Sequence, residues 1–592
     1  MANLRFERTI EFHAPLDDVW RLMADTDRLN RETDLPMPTF RFQPRSVGGT
    51  EAFGLVKFGP FVFRYREHPF EWVQNQFYSV RRSFENGPIA EILARFEFEP
   101  NGDGTKVKVT TEIACRSTPI VGKIVGLRSL SQLTECCHSF EKYFAKASKT
   151  PYPRETGRPP SDAARLEKSR AELVMKGHDP IVCNALCSFI SSAPPADLVN
   201  FRPIELAAKL ELDSRELLNV CLTATRLGIT DLNWRIMCPY CRSNKDVVTS
   251  LALVDQKAHC ESCNIRFDSA FDKNVEVIFS VSHNIRPVVF GAYCIGGPQL
   301  SPHAIAQWIL EPEETRLTKL ELKQNRWQFS SLQASNSPSL SIRSDGPNRC
   351  SVRLKGGKIE LSSDHISSHA EISLVNETTE RVVIRLEEEE WRSKAVTAAE
   401  VSCLQVFRDQ FSSEVLAPGL EISVSQVCIL FTDLKGSTRM YREKGDANSY
   451  ATVREHFTRL KRCITNHQGA VVKTIGDAIM ACFHDPKNAV LAALEIQSAD
   501  DPLITKIGLH WGPAIVVNAN DILDYFGRTV NLASRLQKQS VGGDIVISAD
   551  LVSDAGVGDA IRAFGAQSIE FTAEVPDIEG EMKLVRLIPG KN

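Results

Sequence analysis

Two carboxylates in the last third of the chain have the spacing that metal-assisted phosphate chemistry requires. Asp433 ends an apolar run that predicts a β-strand, and Asp477 follows Gly476 in the turn of a hairpin predicted over 470–483. If these strands are neighbours, both carboxylates open into one pocket at the edge of a sheet. Two hard oxygen ligands on rigid elements, with phosphate oxygens completing the shell, suit a pair of Mg²⁺ or Mn²⁺ ions.

Two other segments could bind a phosphorylated substrate. Residues 434–438 open a predicted helix, whose free N–H groups and positive dipole end attract phosphate. The candidate phosphate ligands there are Gly436, Ser437 and Thr438. Asn531 and Arg535 are four residues apart and share one face of a later predicted helix, where a guanidinium could stabilise a phosphoryl transition state. Each feature alone is common as a cap, a turn or solvated surface, but their combination in this order is specific.

Four of the sixteen cysteines form two CxxC pairs, separated by eighteen residues. The pairs are Cys238 with Cys241 and Cys260 with Cys263. Four thiolates on two tight turns complete a tetrahedral shell, so the region 236–270 is predicted to be a zinc ribbon holding one structural Zn²⁺. Free buried thiols are the alternative. Scattered cysteines in a long chain indicate reduced thiols in the cytosol and not a disulfide framework.

The bulk composition is that of an ordinary globular protein of several domains. The 592 residues are 43% hydrophobic and 24% charged, with a net charge of −4. No global basic field for nucleic acid or an anionic membrane follows from that balance, although a local patch could lie within it. The sequence holds no secretory signal and no apolar run long enough to span a membrane. The predicted location is therefore cytoplasmic.

Residues 1–148 predict a strand, a helix, many strands and one long C-terminal helix. Alternation over 92–99 and 106–113 brackets the turn 101–104, and apolar residues recur at helical spacing over 120–144. With the opening Ala14-Pro15-Leu16-Asp17-Asp18-Val19-Trp20, this order resembles the START-like (SRPBCC) helix-grip fold. The resemblance implies a curved sheet around an apolar cavity for a hydrophobic small ligand. A filled core that serves only as a scaffold is the alternative.

The middle of the chain predicts modules without catalytic chemistry. Residues 161–235 are mainly helical, and the helices over 203–212 and 214–227 resemble a helix-turn-helix unit. A packing module is favoured over nucleic-acid binding, because the second helix has no basic run. Residues 271–390 predict a β-rich, sandwich-like domain. Residues 391–417 predict one helix, which either signals by pairing with its twin or packs on its own chain.

The C-terminal region, 424–590, resembles the class III adenylate/guanylate cyclase catalytic domain. The matching runs are 430–438, which contains Phe431, and 472–483, 507–513 and 526–535. The resemblance implies a ferredoxin-like α+β fold, so the whole chain is predicted to be multidomain α+β. It also implies that Asp433 and Asp477 bind two metal ions per site, that Asn531 orients the ribose, and that Arg535 stabilises the pentacoordinate phosphate.

The resemblance also bears on the substrate and the assembly. It implies that Lys473 and Asp524 contact the purine, and a cationic donor beside a carboxylate acceptor suits adenine and opposes guanine. ATP is therefore the predicted substrate and cyclic AMP the product. The family shares each site between two protomers, which predicts a homodimer. A guanylate cyclase and a catalytically weak nucleotide-binding regulator are the alternatives. One departure is the acidic stretch 576–583, where many family members carry a basic loop that grips the terminal phosphates.

Overall fold

The computed structural model describes residues 2–33, 36–45, 50–117, 119–148, 150–155, 159–240, 244–261, 263–288, 291–389, 395–576 and 580–590. The chain forms several separate hydrophobic cores from both helices and sheets, which confirms the predicted multidomain α+β class. No helix within these ranges is long and apolar enough to cross a membrane.

The N-terminal unit has the predicted order of strands and helices. Its elements are β1 (Ala2–Phe12), α1 (Leu16–Met23), α2 (Thr26–Glu32), β2 (Thr39–Pro44), β3 (Thr50–Phe58), β4 (Phe61–Glu67), β5 (Glu71–Val73), β6 (Phe77–Phe84), β7 (Ile89–Asn101), β8 (Gly104–Cys115) and α3 (Pro119–Phe144). The strands form one antiparallel sheet, and α3 packs across it. Leu133, Cys137 and Phe140 of α3 are buried against that sheet, so the helix-grip arrangement is confirmed.

The helical module of the middle region shares its core with a three-stranded sheet. The elements are α4 (Ala163–Met175), α5 (Pro180–Ser192), α6 (Pro203–Leu210), α7 (Ser214–Arg226), β9 (Thr230–Met237), β10 (Asn244–Val248), β11 (Lys257–Cys260), β12 (Ile265–Asp268) and β13 (Val275–Val281). The two predicted helices correspond to α6 and α7. The predicted β-rich domain began at 271, but β13 pairs with β9 and packs against the helices, so this strand belongs to the helical module.

The β-rich region is a sandwich that is joined to the N-terminal sheet. Its strands are β14 (Ala304–Leu310), β15 (Thr315–Glu321), β16 (Arg326–Ser330), β17 (Ser339–Ile342), β18 (Arg349–Lys355), β19 (Lys358–Leu361), β20 (His365–Ile366), β21 (His369–Asn376) and β22 (Val382–Glu388). Strand β14 pairs with β5 through Ala306 opposite Val73, which makes one thirteen-stranded sheet. The second sheet of the sandwich has the order β15-β21-β18-β19. The β-rich region therefore shares a sheet with the N-terminal unit, which the sequence analysis did not address.

The segment predicted as one signalling helix over 391–417 is instead two short helices, α8 (Ala398–Ser402) and α9 (Gln405–Gln410). Residues 390–394 lie outside the described ranges. The helical conformation is interrupted at Leu404, which has an extended backbone with a ψ of 129°. Both helices pack on their own chain, where Val401, Leu404 and Phe407 are buried. We call residues 395–421 the connector.

The C-terminal region is an eight-stranded sheet. Its elements are β23 (Ile422–Leu434), α10 (Ser437–Lys444), α11 (Asp446–Asn466), β24 (Gly469–Ile475), β25 (Ala478–Phe483), α12 (Pro486–Ser498), β26 (Thr505–Ala519), β27 (Ile522–Phe526), α13 (Arg528–Lys538), β28 (Ile545–Ser548), α14 (Ala549–Val552), α15 (Ala555–Phe564), β29 (Gln567–Glu574) and β30 (Glu581–Ile588). The strand order is β24-β25-β23-β26-β28-β30-β29, with β27 paired to β26. Helices α11, α12 and α15 cover one face, and the connector covers part of the other.

Helix α13 lies unusually close to β26, and glycines permit this approach. A Cβ atom on Gly508 would come within 2.1 Å of the Gln537 backbone nitrogen, and one on Gly512 within 2.8 Å of the Thr529 hydroxyl oxygen. Contacts of that length would force the helix away from the sheet. The glycines of the 507–513 run therefore set the depth at which α13 presents its side chains.

Candidate active site

Strand pairing brings Asp433 and Asp477 to the same end of the sheet. Strands β23 and β25 are antiparallel neighbours, with Phe431 opposite Met480. Two residues further along β23, Asp433 reaches the level of the β24–β25 turn that contains Gly476 and Asp477. Gly476 has a φ of +63°, a conformation that glycine adopts without strain. The Thr432 side chain ties the two elements together by accepting a hydrogen bond from the Ile479 N–H at 3.0 Å.

The two carboxylates are half-buried and have no cationic side chain as a partner among the described residues. Asp433 Oδ2 accepts one hydrogen bond, from the amide of Gln537 at 3.3 Å. Asp477 Oδ2 is buried and has no hydrogen-bond partner. A buried carboxylate oxygen without a hydrogen-bond partner lowers the stability of the fold unless a ligand supplies the missing interaction. This donor set fits a divalent cation.

Lys473 and Asp524 are brought together as the sequence predicted for a shared role, although 51 residues separate them. Their ammonium and carboxylate groups form an ion pair, and Asp524 Oδ1 also accepts the N–H of Tyr525 at 2.8 Å. The Asp524 side chain is 9% exposed and that of Lys473 is 33% exposed. Neither group contacts Asp433 or Asp477 within the described part of the chain. One donor and one acceptor are thus held side by side.

The remaining predicted site residues lie on β23, at the start of α10 and on α13. Helix α10 begins at Ser437 after Gly436, which has a φ of +77°, so the predicted helix start is confirmed. Asn531 and Arg535 lie one turn apart on α13, where Asn531 is exposed and Arg535 is half-buried. Gln537, which the sequence analysis did not select, lies on the same helix and contacts Asp433. The sequence signal that could have identified Gln537 is a polar residue at a buried helix position, two residues after the 526–535 run.

The connector contributes contacts that the sequence analysis missed. Gln405 Oε1 accepts the N–H of Val471 on β24 at 2.8 Å, and Arg408 Nη1 donates to the carbonyl of Leu523 on β27 at 2.8 Å. These strands carry Lys473 and Asp524. The connector therefore fixes the backbone directly beside the ion pair.

A buried polar cluster lies under β27. The hydroxyl groups of Ser402 and Tyr525 are 2.9 Å apart, and Cys403 Sγ is 3.5 Å from the same Tyr525 oxygen. Burial raises the pKa of the Cys482 thiol, but a hydrogen bond with Cys403 and the charge of Arg408 outweigh this and lower it to about 7. No local sequence pattern marks this cluster, because its members come from the connector, β25 and β27.

Three of the four predicted zinc ligands lie together. The ligand atoms of Cys238, Cys260 and Cys263 are within 4.8 Å of one another, and all three residues are buried. Cys241 lies outside the described residues. Strands β11 and β12 form the hairpin that carries the second pair. Three thiols are thus assembled where the spacing predicted them.

The N-terminal unit encloses a cavity of about 450 Å³ between its sheet and α3. Its lining is mainly apolar and includes Phe63, Phe96, Ile92 and Leu133. The cavity also receives the side chains of Arg82 and Tyr65. The predicted helix-grip core is therefore hollow, which favours the ligand-binding interpretation over the filled scaffold.

Comparison with known families agrees with this division of the chain. Residues 421–555 match the family described as the adenylate and guanylate cyclase catalytic domain. Residues 3–130 match the family described as polyketide cyclase/dehydrase and lipid transport, and residues 167–292 match a family of unknown function, DUF5939. The chain therefore carries a class III cyclase catalytic domain in its C-terminal part and a START-like domain in its N-terminal part.

Similar proteins include curated cyclases and solved cyclase structures. The adenylate cyclase of Schizosaccharomyces pombe is 31% identical over 166 residues, 22% of this chain and 10% of the relative. That of Lachancea kluyveri is 28% identical over 195 residues, 28% and 10% of the two chains. This chain thus spans about a tenth of their length. The structure of the adenylyl cyclase CyaB from P. aeruginosa is 20% identical, covers 29% of this chain and 98% of its own, and has a TM-score of 0.25.

We expect Lys473 and Asp524 to be strongly coupled in stability. Replacing Lys473 by Met leaves the carboxylate of Asp524 largely buried and unpaired, which should lower the free energy of unfolding by about 1–3 kcal/mol. In the double variant with Asp524→Asn, much of that loss should be recovered. A double-mutant cycle by denaturant unfolding measures the coupling.

The matched control is the exposed pair Lys461 and Asp409, whose side chains are 45% and 51% exposed. An exposed pair contributes about 0–1 kcal/mol. A Lys473–Asp524 coupling no larger than the control would contradict the paired arrangement of the two residues.

Proposed function

We propose that this chain is an adenylate cyclase, which converts ATP to 3′,5′-cyclic AMP and pyrophosphate. The observation that carries the proposal is the pair of half-buried carboxylates, Asp433 and Asp477, at adjoining strand ends, one with a buried oxygen that has no partner. Such a site offers carboxylate oxygens without a cationic partner to divalent cations, as the binding of a nucleotide triphosphate with those ions requires. The match of residues 421–555 to the cyclase family supports this assignment.

Asp433 and Asp477 would hold two Mg²⁺ or Mn²⁺ ions. When bound, these ions would neutralise the phosphate charge and favour ionisation of the ribose 3′-hydroxyl. The chain's own contribution is to hold both carboxylates rigidly: Thr432 hydrogen-bonds across to β25, and Gln537 donates to Asp433. Neither carboxylate has to break an ion pair before it can bind.

The reaction is an internal phosphoryl transfer. The 3′-hydroxyl gives its proton to solvent, the 3′-oxygen bonds to the α-phosphorus, the bond from that phosphorus to the bridging oxygen breaks, and pyrophosphate leaves with the electron pair. Arg535 would stabilise the additional charge on the pentacoordinate phosphate, and Asn531 would orient the ribose. The start of α10 at Gly436, Ser437 and Thr438 would bind phosphate oxygens through its free N–H groups, while Phe431 is buried in the core shared with the connector.

The arrangement of Lys473 and Asp524 supports ATP as the substrate. Adenine presents an acceptor at N1 beside a donor at its 6-amino group, so an ammonium and a carboxylate held side by side complement it. Guanine presents the reverse pattern and would leave both protein groups unpaired, which can exclude a substrate strongly. The ion pair between the two side chains supports their common placement.

A homodimer would combine these groups into two equivalent sites. Within one chain, Lys473 and Asp524 do not contact either metal-binding aspartate, while Asn531 is exposed. A second copy related by a two-fold axis would bring the purine-binding pair of one protomer to the carboxylates of the other. A monomer would then be inactive.

The N-terminal modules would regulate this activity through the connector. The 450 Å³ cavity would bind a hydrophobic small ligand, and Cys238, Cys260 and Cys263 with Cys241 would bind one structural Zn²⁺. Gln405 and Arg408 contact the strands that carry Lys473 and Asp524. A ligand that changes the packing of the connector would therefore change the base-binding pair.

We expect purified full-length protein to form cyclic AMP from ATP with Mg²⁺ or Mn²⁺, and little product from GTP. Asp433→Asn and Arg535→Ala should each reduce turnover by at least about a hundredfold, because each removes a group that acts on transition-state charge. Chromatographic assay of both cyclic nucleotides measures this. Asp550→Asn, an exposed carboxylate on α14, is the control and should retain activity. Full activity of the Asp433 variant would contradict the proposed metal site.

Shared sites predict rescue when two inactive variants are mixed. In an equal mixture of Asp433→Asn and Arg535→Ala chains, half of the randomly formed dimers are mixed and each has one intact site. Activity should therefore return to about a quarter of the wild-type value. Each variant incubated alone is the control. Absence of rescue, with exchange of subunits verified by mass spectrometry, would argue for sites within single chains.

The zinc proposal has a readout independent of activity. Purified protein should contain about one zinc ion per chain by elemental analysis, since four thiolates complete a structural site. Cys260→Ser should lower the zinc content well below one, whereas Cys350→Ser, a buried thiol of the β-sandwich, should not. Equal zinc content in the two variants would contradict a site at the CxxC pairs.

A further inference from the structure

The mouth of the N-terminal cavity is bordered by exposed apolar side chains. We call these residues the rim patch: Phe58, Phe61, Val62, Ile120, Val121, Ile124 and Leu127. Four of them are at least 60% exposed: Phe61 at 65%, Ile120 at 63%, Leu127 at 62% and Ile124 at 60%. Phe58, Phe61 and Val121 also line the cavity, so the β3–β4 turn and the start of α3 meet at its opening. Several exposed apolar side chains on two segments that meet at a cavity opening indicate an interaction site.

The exposure of the α3 residues is built into the helix packing. Ile120, Ile124 and Leu127 follow helical spacing and form one stripe. The opposite side of the helix is held against the sheet by two glycines: a Cβ on Gly122 would lie 2.5 Å from Cys115 Sγ, and one on Gly126 would lie 2.3 Å from the Phe6 ring. The helix cannot rotate its stripe inward without losing that close contact.

The two chain segments that carry the rim patch contain basic residues and no acidic ones, although Arg66 pairs with Glu51 of the neighbouring strand. The segments 54–66 and 116–134, which contain the patch, hold six Lys and Arg residues and no Asp or Glu. Four of these, Lys57, Arg64, Lys123 and Arg128, are exposed and have no ion pair among the described residues. A local cationic field therefore lies within a chain whose net charge is −4.

We propose that the rim patch docks on the surface of an anionic lipid bilayer. Aromatic and aliphatic side chains would enter the headgroup region, and the surrounding lysines and arginines would contact lipid phosphates, as in interfacial amphipathic segments. Docking would place the opening of the apolar cavity at the lipid surface, from which a hydrophobic ligand can enter without crossing water. This inference does not depend on the nucleotide chemistry of the C-terminal region.

Charge decides against a second copy of the chain as the occupant. A two-fold contact through the rim patch would oppose the same basic groups on both copies and bring like charges together. An anionic bilayer instead supplies the negative charge that these groups lack. The same argument predicts that binding weakens as salt is raised.

Flotation of full-length protein with vesicles tests the proposal. We expect binding to vesicles of phosphatidylcholine with about 30 mol% phosphatidylglycerol and at least about fivefold less binding to phosphatidylcholine alone. The pair Ile124→Ser with Leu127→Ser should lower the bound fraction by about tenfold. The pair Lys123→Glu with Arg128→Glu should abolish the preference for anionic vesicles.

Matched controls separate the rim patch from general surface effects. Ile181 and Leu317 are 69% and 65% exposed and lie elsewhere, so Ile181→Ser with Leu317→Ser should bind as the wild type does. Lys358→Glu, on the β-sandwich, is the control for charge. Thermal unfolding verifies that each variant is folded.

Four results would overturn the proposal. The first is no binding to anionic vesicles, and the second is an equal loss of binding in the control and rim-patch variants. The third is concentration-dependent self-association that the Ile124 and Leu127 changes abolish without vesicle binding, which would assign the patch to a contact between copies. Equal binding to neutral vesicles would refute the role of the basic residues.

Discussion

One apolar core runs from the helical module through the connector to the cyclase sheet, and the positions of the site residues depend on it. On β23, Ile429 and Phe431 contribute to this core, while Cys428 and Leu430 point into the separate core beneath α11 and α12. Phe407 of the connector packs edge-on against Trp234 of the helical module, with ring centroids 5.8 Å apart. Without the connector, this face of the sheet would expose a large apolar surface. The catalytic sheet and the region before it are therefore one packed unit.

This packing limits how a signal can reach the active site. Glu414 of the connector accepts hydrogen bonds from the Trp234 indole and the Leu251 N–H, at 3.1 and 2.9 Å. On its other side, the connector holds the backbones of β24 and β27 through Gln405 and Arg408. Packed interfaces resist gradual deformation and tend to switch between discrete arrangements. Under the proposed function, a ligand in the N-terminal part would act on Lys473 and Asp524 through a repacking of the connector, and not through a loose tether.

The local parts of this structure could be predicted from sequence, and the long-range parts could not. The β24–β25 hairpin follows from alternation around Gly476, and the grouping of Cys238, Cys260 and Cys263 follows from cysteine spacing. The prediction of one helix in the connector was wrong although Val401, Leu404 and Phe407 keep helical spacing. The chain is extended at Leu404, and Arg408 Nε caps the first helix by donating to the Ser402 carbonyl at 2.7 Å. Pairing of β14 with β5 joins residues more than 200 positions apart, and no local pattern encodes such a register.

Several buried carboxylates elsewhere in the chain have cationic partners, and Asp433 and Asp477 differ from these examples. Glu276 is paired with Arg202 and Arg235, Asp544 with Arg586, and Asp501 with Arg459 and His456. In each case a cation offsets the loss of hydration that burial imposes on a carboxylate. Asp477 instead has no cationic side chain as a partner among the described residues, and its buried Oδ2 accepts no hydrogen bond, which costs about 1–3 kcal/mol. Stability alone would favour a neutral or paired residue in that turn. A carboxylate at this position is therefore better explained by a role in binding than by a role in folding. A residue that breaks the local rule in this way supports the proposal that binding, and not folding, determines the sequence at this turn.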